Sequence, residues 1–123
     1  MSAHRLAAKK IHSPGMISLL LEVRRRKHKK IVFTNGCFDV LHRGHVHLLE
    51  RCRMLGSVVV VGVNSDESVR AQGKGPGRPI HNQWDRAYMV GSLECVDYVV
   101  IFEEPDPLAC IQAVKPDVLV KGE

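Results

Sequence analysis

The sequence predicts a doubly wound α/β fold, with a mainly parallel sheet and helices on both faces. Short apolar runs at 31–34, 57–63, 98–102 and 118–120 are rich in Val, Ile and Phe, the composition of strands covered on both sides. The intervals between them carry helical spacing and helix-start chemistry. A regular strand–helix alternation of this kind builds parallel crossovers rather than hairpins. At 123 residues the chain is one domain long and can bury a core without staples.

Residues 1–12 read as a loosely determined tail. Ser13-Pro14 follows as an N-cap with proline at the first helical position. Met16, Ile17, Leu19, Leu20, Leu21 and Val23 give the helix a broad apolar face, and the basic block from Arg24 ends it. After the first strand, Val46, Leu48, Leu49, Cys52 and Leu55 mark a helix over 44–55, with Gly56 as its C′ residue. A glycine-rich stretch, 72–79, cannot continue a helix. Asn82 caps a helix reaching about Leu93, with Trp84 on its packed face. Asp106-Pro107 repeats the cap-then-proline signature before a helix to about Val114.

Composition narrows the function classes. No apolar run reaches the ~18 residues of a membrane span, and the expectation is a cytoplasmic protein. Cys37, Cys52, Cys95 and Cys110 show no close pairing, and the last three sit among apolar neighbours, as reduced core thiols do. The net charge of +5 is concentrated in residues 24–30. That block is expected to be a solvated link between the first helix and the first strand, and a nucleic-acid role is disfavoured. The acid-free first twenty-one residues faintly resemble a transit peptide, but they hold little serine and no processing site.

Chemistry concentrates in Thr34-Asn35-Gly36-Cys37-Phe38-Asp39-Val40-Leu41-His42-Arg43-Gly44-His45. Neither GxxxxGK[ST] nor a GxGxxG joining the first strand to its helix occurs. Asn35-Gly36 turns the chain out of the strand, and Gly44 lies where the next helix begins. A helix N-terminus offers free N–H groups to a phosphate. His42 and His45, three residues apart, can converge on one ligand and neutralise charge at phosphorus. The same histidines beside Cys37 and His47 could hold a metal, although their spacing fits no compact zinc pattern.

This segment resembles the HxGH signature of the cytidylyltransferase-like nucleotidyltransferases. The resemblance runs over residues 31–123 and is closest to the adenylyltransferase branch of ADP-heptose synthesis. The matches include Val63-Asn64-Ser65-Asp66, Gly77-Arg78-Pro79, Leu93–Asp97 and Pro116–Gly122. It implies a Rossmann-like domain over 31–123, preceded by a tail, helix and basic segment over 1–30. It also implies that Cys37 and Phe38 contact the triphosphate through backbone, that Asp39 shapes the loop, and that Asn35, Gly36, Gly44 and Asn64 line the nucleotide site. His42 and His45 would bind phosphates, with Lys74 closing from the glycine-rich loop and Arg86 holding phosphate from the next helix. Lys121-Gly122 would approach the base and ribose.

The implied reaction transfers AMP from ATP to a sugar phosphate, a heptose 1-phosphate, with release of pyrophosphate. Mg²⁺ is expected with the ATP, and a homodimer is the expected assembly. The family pattern continues past the Lys-Gly element, so the sequence reads as lacking its C-terminal segment. Open alternatives are a glycerol-3-phosphate cytidylyltransferase, an FMN adenylyltransferase-like enzyme, and a non-catalytic nucleotide-binding module. For the outer residues, Lys74 could be a solvated loop charge and Arg86 could pair on its own helix with Asp85 or Glu94.

Overall fold

A computed structural model describes residues 3–122; residues 1 and 2 of the expected tail and residue 123 of the expected domain lie outside the described residues. After a 3₁₀ turn at Ala3–Arg5, the elements are α1 (Ala7–Lys10), α2 (Pro14–Arg26), β1 (Ile31–Gly36), α3 (Arg43–Leu55), β2 (Val58–Asn64) and α4 (Asp66–Ala71). They continue with α5 (Gln83–Gly91), β3 (Tyr98–Phe102), α6 (Leu108–Val114) and β4 (Val118–Leu119). All strand pairs are parallel, in the order β3-β2-β1-β4. The doubly wound expectation holds.

Strand alternation sorts the apolar side chains into two cores. Val32, Val59, Val61, Val63 and Val99 face Leu49 and Cys52 of α3 and Ala87 and Val90 of α5. Ile31, Phe33, Val58, Val60 and Val100 face Ile17 and Leu21 of α2 and Cys110 and Val114 of α6. The central strands thus carry apolar residues toward both faces over 31–33 and 58–61, which explains the apolar runs in the sequence. Burial pushes the Cys52 thiol up to about 11, with Cys95 adding to it, and the Cys110 thiol up to about 12. All four cysteines are free, with Cys52 and Cys110 buried in the two cores.

The amino-terminal segment departs from the expectation of a loose tail. Arg5 donates to Asp97 Oδ1 at 2.8 Å and to the Glu94 carbonyl at 2.7 Å. Lys10 is buried and donates from Nζ to the Leu93 carbonyl at 3.0 Å, while burial, then Arg5, lowers its pKa. Ile11 bridges to Val99, and His12 N–H donates to the Val99 carbonyl, so this segment covers part of the exposed edge of β3. The sequence misleads here because the segment binds through long cationic side chains rather than an apolar stripe.

Several local expectations are also corrected. Gly56 follows α3 in extended backbone rather than a left-handed cap. Its missing side chain has another reason: a Cβ there would meet Val32 Cγ2 at 2.6 Å and the Lys30 carbonyl oxygen at 2.9 Å. The helix after Asn82 stops at Gly91, short of Leu93. Trp84 lies 62% exposed instead of packed. Pro107 stands at the N-cap of α6, and Asp106 instead accepts from the Leu108 N–H at 3.0 Å. The short α4 follows Ser65, whose hydroxyl caps it by accepting from Ser68 N–H.

This topology fixes where a ligand can bind. β2 and β3 extend the sheet to one side of β1, and β4 lies on the other. The strand order therefore reverses between β1 and β4, and their carboxyl ends open the crevice in which such sheets hold ligands.

Candidate active site

The loop leaving β1 enters α3 through two histidines that cap one another. His42 is the N-cap, and its Nδ1 accepts from the Gly44 N–H at 3.0 Å. His45 Nδ1 in turn accepts from the His42 N–H at 3.2 Å. This is a capping box built from imidazoles in place of hydroxyl and carboxylate. The rings stack with centroids 3.9 Å apart, and Phe38 meets the His45 ring edge-on at 5.2 Å. A ring nitrogen that accepts a hydrogen bond carries no proton, so both neutral imidazoles hold theirs on Nε2. Burial, reinforced by His42, lowers the His45 pKa and favours that neutral form.

Gly44 has a specific steric role. A Cβ there would lie 2.8 Å from His42 Cε1 and 3.0 Å from Nδ1, so the glycine makes room for the capping ring itself. The histidines line a cavity of about 480 Å³ at the β1/β4 crevice. Its wall also includes Asn35, Gly36, Phe38, Gly44, Lys121 and Gly122. The structure thereby brings eight of the residues singled out in the sequence to one cavity: Asn35, Gly36, Phe38, His42, Gly44, His45, Lys121 and Gly122. Two further wall residues, Leu48 and Arg51, carry no site expectation from the sequence, and His47 carries only that of a metal ligand. Their signal was present, since positions 44, 48 and 51 follow helical spacing along α3.

The remaining residues stand behind or beside this cavity. Asp39 accepts from Arg78 Nη1 at 2.9 Å and from the N–H groups of Ile80 and His81, joining the first loop to the segment before α5. Burial alone would raise its pKa, but Arg78 and the two backbone donors hold it below the usual value. Lys74 places Nζ 3.5 Å from Cys37 Sγ, next to the loop but outside the cavity wall. Asn64 is buried, with its amide donating to Ser68 Oγ at 2.9 Å.

Arg86 stands differently from either reading of the sequence. Only 1% exposed, it donates to the Cys37 and Asn64 carbonyls at 2.7 Å each and to the His81 carbonyl at 2.9 Å. Its fourth partner is Asp66 Oδ1 at 2.8 Å, not Asp85 or Glu94. In this arrangement the guanidinium fastens together the loops after β1 and β2 and the start of α5. A second cavity of about 360 Å³ beside it is lined mainly by apolar groups, including Val40, Leu41, Tyr88 and Met89.

The first cavity's wall contains no carboxylate among the described residues. Among the same residues, no cluster of His, Cys, Asp and Glu could hold a metal ion. The residues present do not fit a protein-held magnesium site. A magnesium ion accompanying a nucleoside triphosphate would ride on the phosphate oxygens as part of the substrate. No described helix is long and apolar enough to cross a membrane.

Comparison with known proteins identifies the family. The cytidylyltransferase-like family model matches residues 33–123. The bifunctional protein HldE of a Nitratiruptor species is 58% identical over 106 residues, covering 86% of this chain and 23% of that protein. The protein of the same name from Pelobacter propionicus is 48% identical over 120 residues, covering 98% of this chain and 24% of that one. The chain thus spans about a quarter of the length of these relatives. Among solved structures, a lipopolysaccharide core biosynthesis protein from Thermoplasma volcanium superposes with a TM-score of 0.68 at 34% identity, over 74% of this chain and 72% of that one. With the family model, these relatives and the histidine-capped helix in agreement, the chain belongs to the cytidylyltransferase-like family of nucleotidyltransferases.

Proposed function

We propose that this chain transfers AMP from ATP to a sugar phosphate, a heptose 1-phosphate, releasing pyrophosphate in the synthesis of ADP-heptose. The observation that carries the reading is the reciprocal histidine cap, which leaves two Nε2–H donors at one cavity beside the N-terminus of a 13-residue helix. A triphosphate placed there meets both imidazoles and the helix N–H groups. The resemblance to HldE proteins supports the choice of sugar.

The chemistry asks little of the protein in covalent terms. A sugar phosphate oxygen is already ionised near neutral pH, so its in-line attack on the α-phosphorus needs no general base. What remains is alignment and stabilisation of the charge on the transferring group and the departing pyrophosphate. His42 and His45 act as Nε2–H donors toward those oxygens. Lys74 would bring a cation from the glycine-rich loop, whereas Arg86 acts indirectly by fixing the Cys37 carbonyl and the loop around it. The cytoplasmic setting and the homodimer belong to the same reading and rest on the family resemblance.

The test is a substrate panel that measures pyrophosphate. Release is expected from ATP with heptose 1-phosphate, and not from CTP with glycerol 3-phosphate or ATP with FMN. Turnover of either other pair at the higher rate would transfer the assignment to that reaction. Binding of ATP without turnover of any pair would favour a nucleotide-binding module.

A further inference from the structure

We infer that Arg51 is a nucleoside-contacting residue, holding the ribose or base end of the triphosphate nucleotide; this rests on the nucleotide-site reading above. The phosphate end of the cavity is set by Gly36, His42, Gly44 and His45. The wall then continues along α3 through Leu48 to Arg51. Seven residues of helix separate Gly44 from Arg51, a rise of about 10 Å. That distance carries the wall past the α-phosphate and along the length of a nucleoside.

The opposite wall agrees. Lys121 and Gly122 leave the end of β4, and a Cβ on Gly122 would lie 3.4 Å from Leu48 Cδ2, so the middle of α3 and the end of β4 pinch the cavity together. The crevice between β1 and β4 therefore has a phosphate end and a second end bounded by Arg51, Leu48 and Gly122.

Arg51 is also chemically available. It lies exposed, and no hydrogen bond or ion pair engages its side chain among the described residues. Arg53, one half-turn on, is by contrast bound to the Ser57 carbonyl and to Asp97. A guanidinium offers donors only and a flat face. It therefore suits ring nitrogens, base carbonyls or ribose oxygens, and it can stack on a base.

The experiment compares ATP with inorganic tripolyphosphate, which has no nucleoside, by calorimetric titration at physiological salt. Arg51→Ala is expected to weaken ATP by about tenfold or more, the loss of a charged hydrogen-bonding contact. Tripolyphosphate affinity and the melting temperature should stay at wild-type values. Arg26→Ala, which removes the same charge from the exposed end of α2, should leave both ligands unaffected. Unchanged ATP affinity in Arg51→Ala would overturn the inference while leaving the site reading intact. So would an equal loss for both ligands, which would make Arg51 a phosphate contact. Failure of the wild-type chain to bind either ligand would instead overturn the site reading, and the inference with it.

Discussion

The imidazoles of His42 and His45 and the guanidinium of Arg86 all hold the loop that follows β1, but by different means. The histidines engage backbone with one nitrogen each, and the other has no protein partner among the described residues. Arg86 is buried with its donors directed at three carbonyls and a carboxylate of the protein. One region leaves a nitrogen on each ring without a protein partner among the described residues; the other directs four donors of a buried guanidinium into the protein. The contrast teaches that a basic residue near a candidate phosphate site is read from the donors it leaves unengaged rather than from its charge.

Removing Arg86 gives the largest expected effect. Arg86→Ala strands the Cys37, Asn64 and His81 carbonyls and Asp66, and should cost about 3–5 kcal/mol of stability in denaturant titration. Arg86→Lys keeps the charge but cannot reach four acceptors, and should recover only part. Near-wild-type stability of Arg86→Ala would dissolve the contrast. His45→Ala should show the opposite pattern. Turnover should fall about 100- to 1000-fold, as when one preorganised donor is lost, while stability drops by about 1 kcal/mol for the lost cap.

Gly44→Ala tests the cap more finely. The new Cβ forces the His42 ring to turn away from the Gly44 N–H. Stability should fall by about 1 kcal/mol, with a loss in kcat/KM exceeding what that stability change explains. Acid should act on the same element. The folded state holds His45 below its ordinary value, so it binds fewer protons than the unfolded chain. The contribution is present above about 6.5, the unfolded histidine value, and is lost as pH falls through the depressed folded value. His45→Gln should flatten that part of the pH–stability curve. Asp39, held low by Arg78, His81 and Ile80 against its burial, acts in the separate window below the ordinary carboxylate value.

The smallest effect concerns Thr34. Its hydroxyl is buried with no hydrogen-bond partner among the described residues. Thr34→Val should leave stability unchanged or raise it slightly, because a buried unsatisfied hydroxyl contributes nothing. A loss above about 1 kcal/mol in thermal unfolding would show that the hydroxyl has a partner.

Legibility in the sequence followed the physical range of each interaction. The strands were readable because burial on both faces demands runs of Val, Ile and Phe, as in Val58–Val61. The histidine pair was readable because its geometry is set within four residues of a helix start. Arg86 was not, since its partners are Cys37, Asn64, Asp66 and His81, three of which lie twenty or more residues away. The same holds for Arg5 and Lys10, whose partners at residues 93–97 meet them only after folding. Gly56 shows a subtler limit: the sequence marks it as a terminator, yet its cause is the approach of Val32 and Lys30. Arg51 could have been found by extending the helical spacing from Gly44, but only the placement of Lys121 and Gly122 shows that this face borders a cavity.

The central claim, that the two free Nε2–H donors receive the phosphates, is tested most directly by nitrogen NMR of the histidine side chains during ATP titration. The account predicts that Nε2 of both His42 and His45 shifts on binding while both Nδ1 remain unprotonated acceptors of their backbone N–H groups. Saturation with ATP that leaves both Nε2 signals unmoved would contradict it.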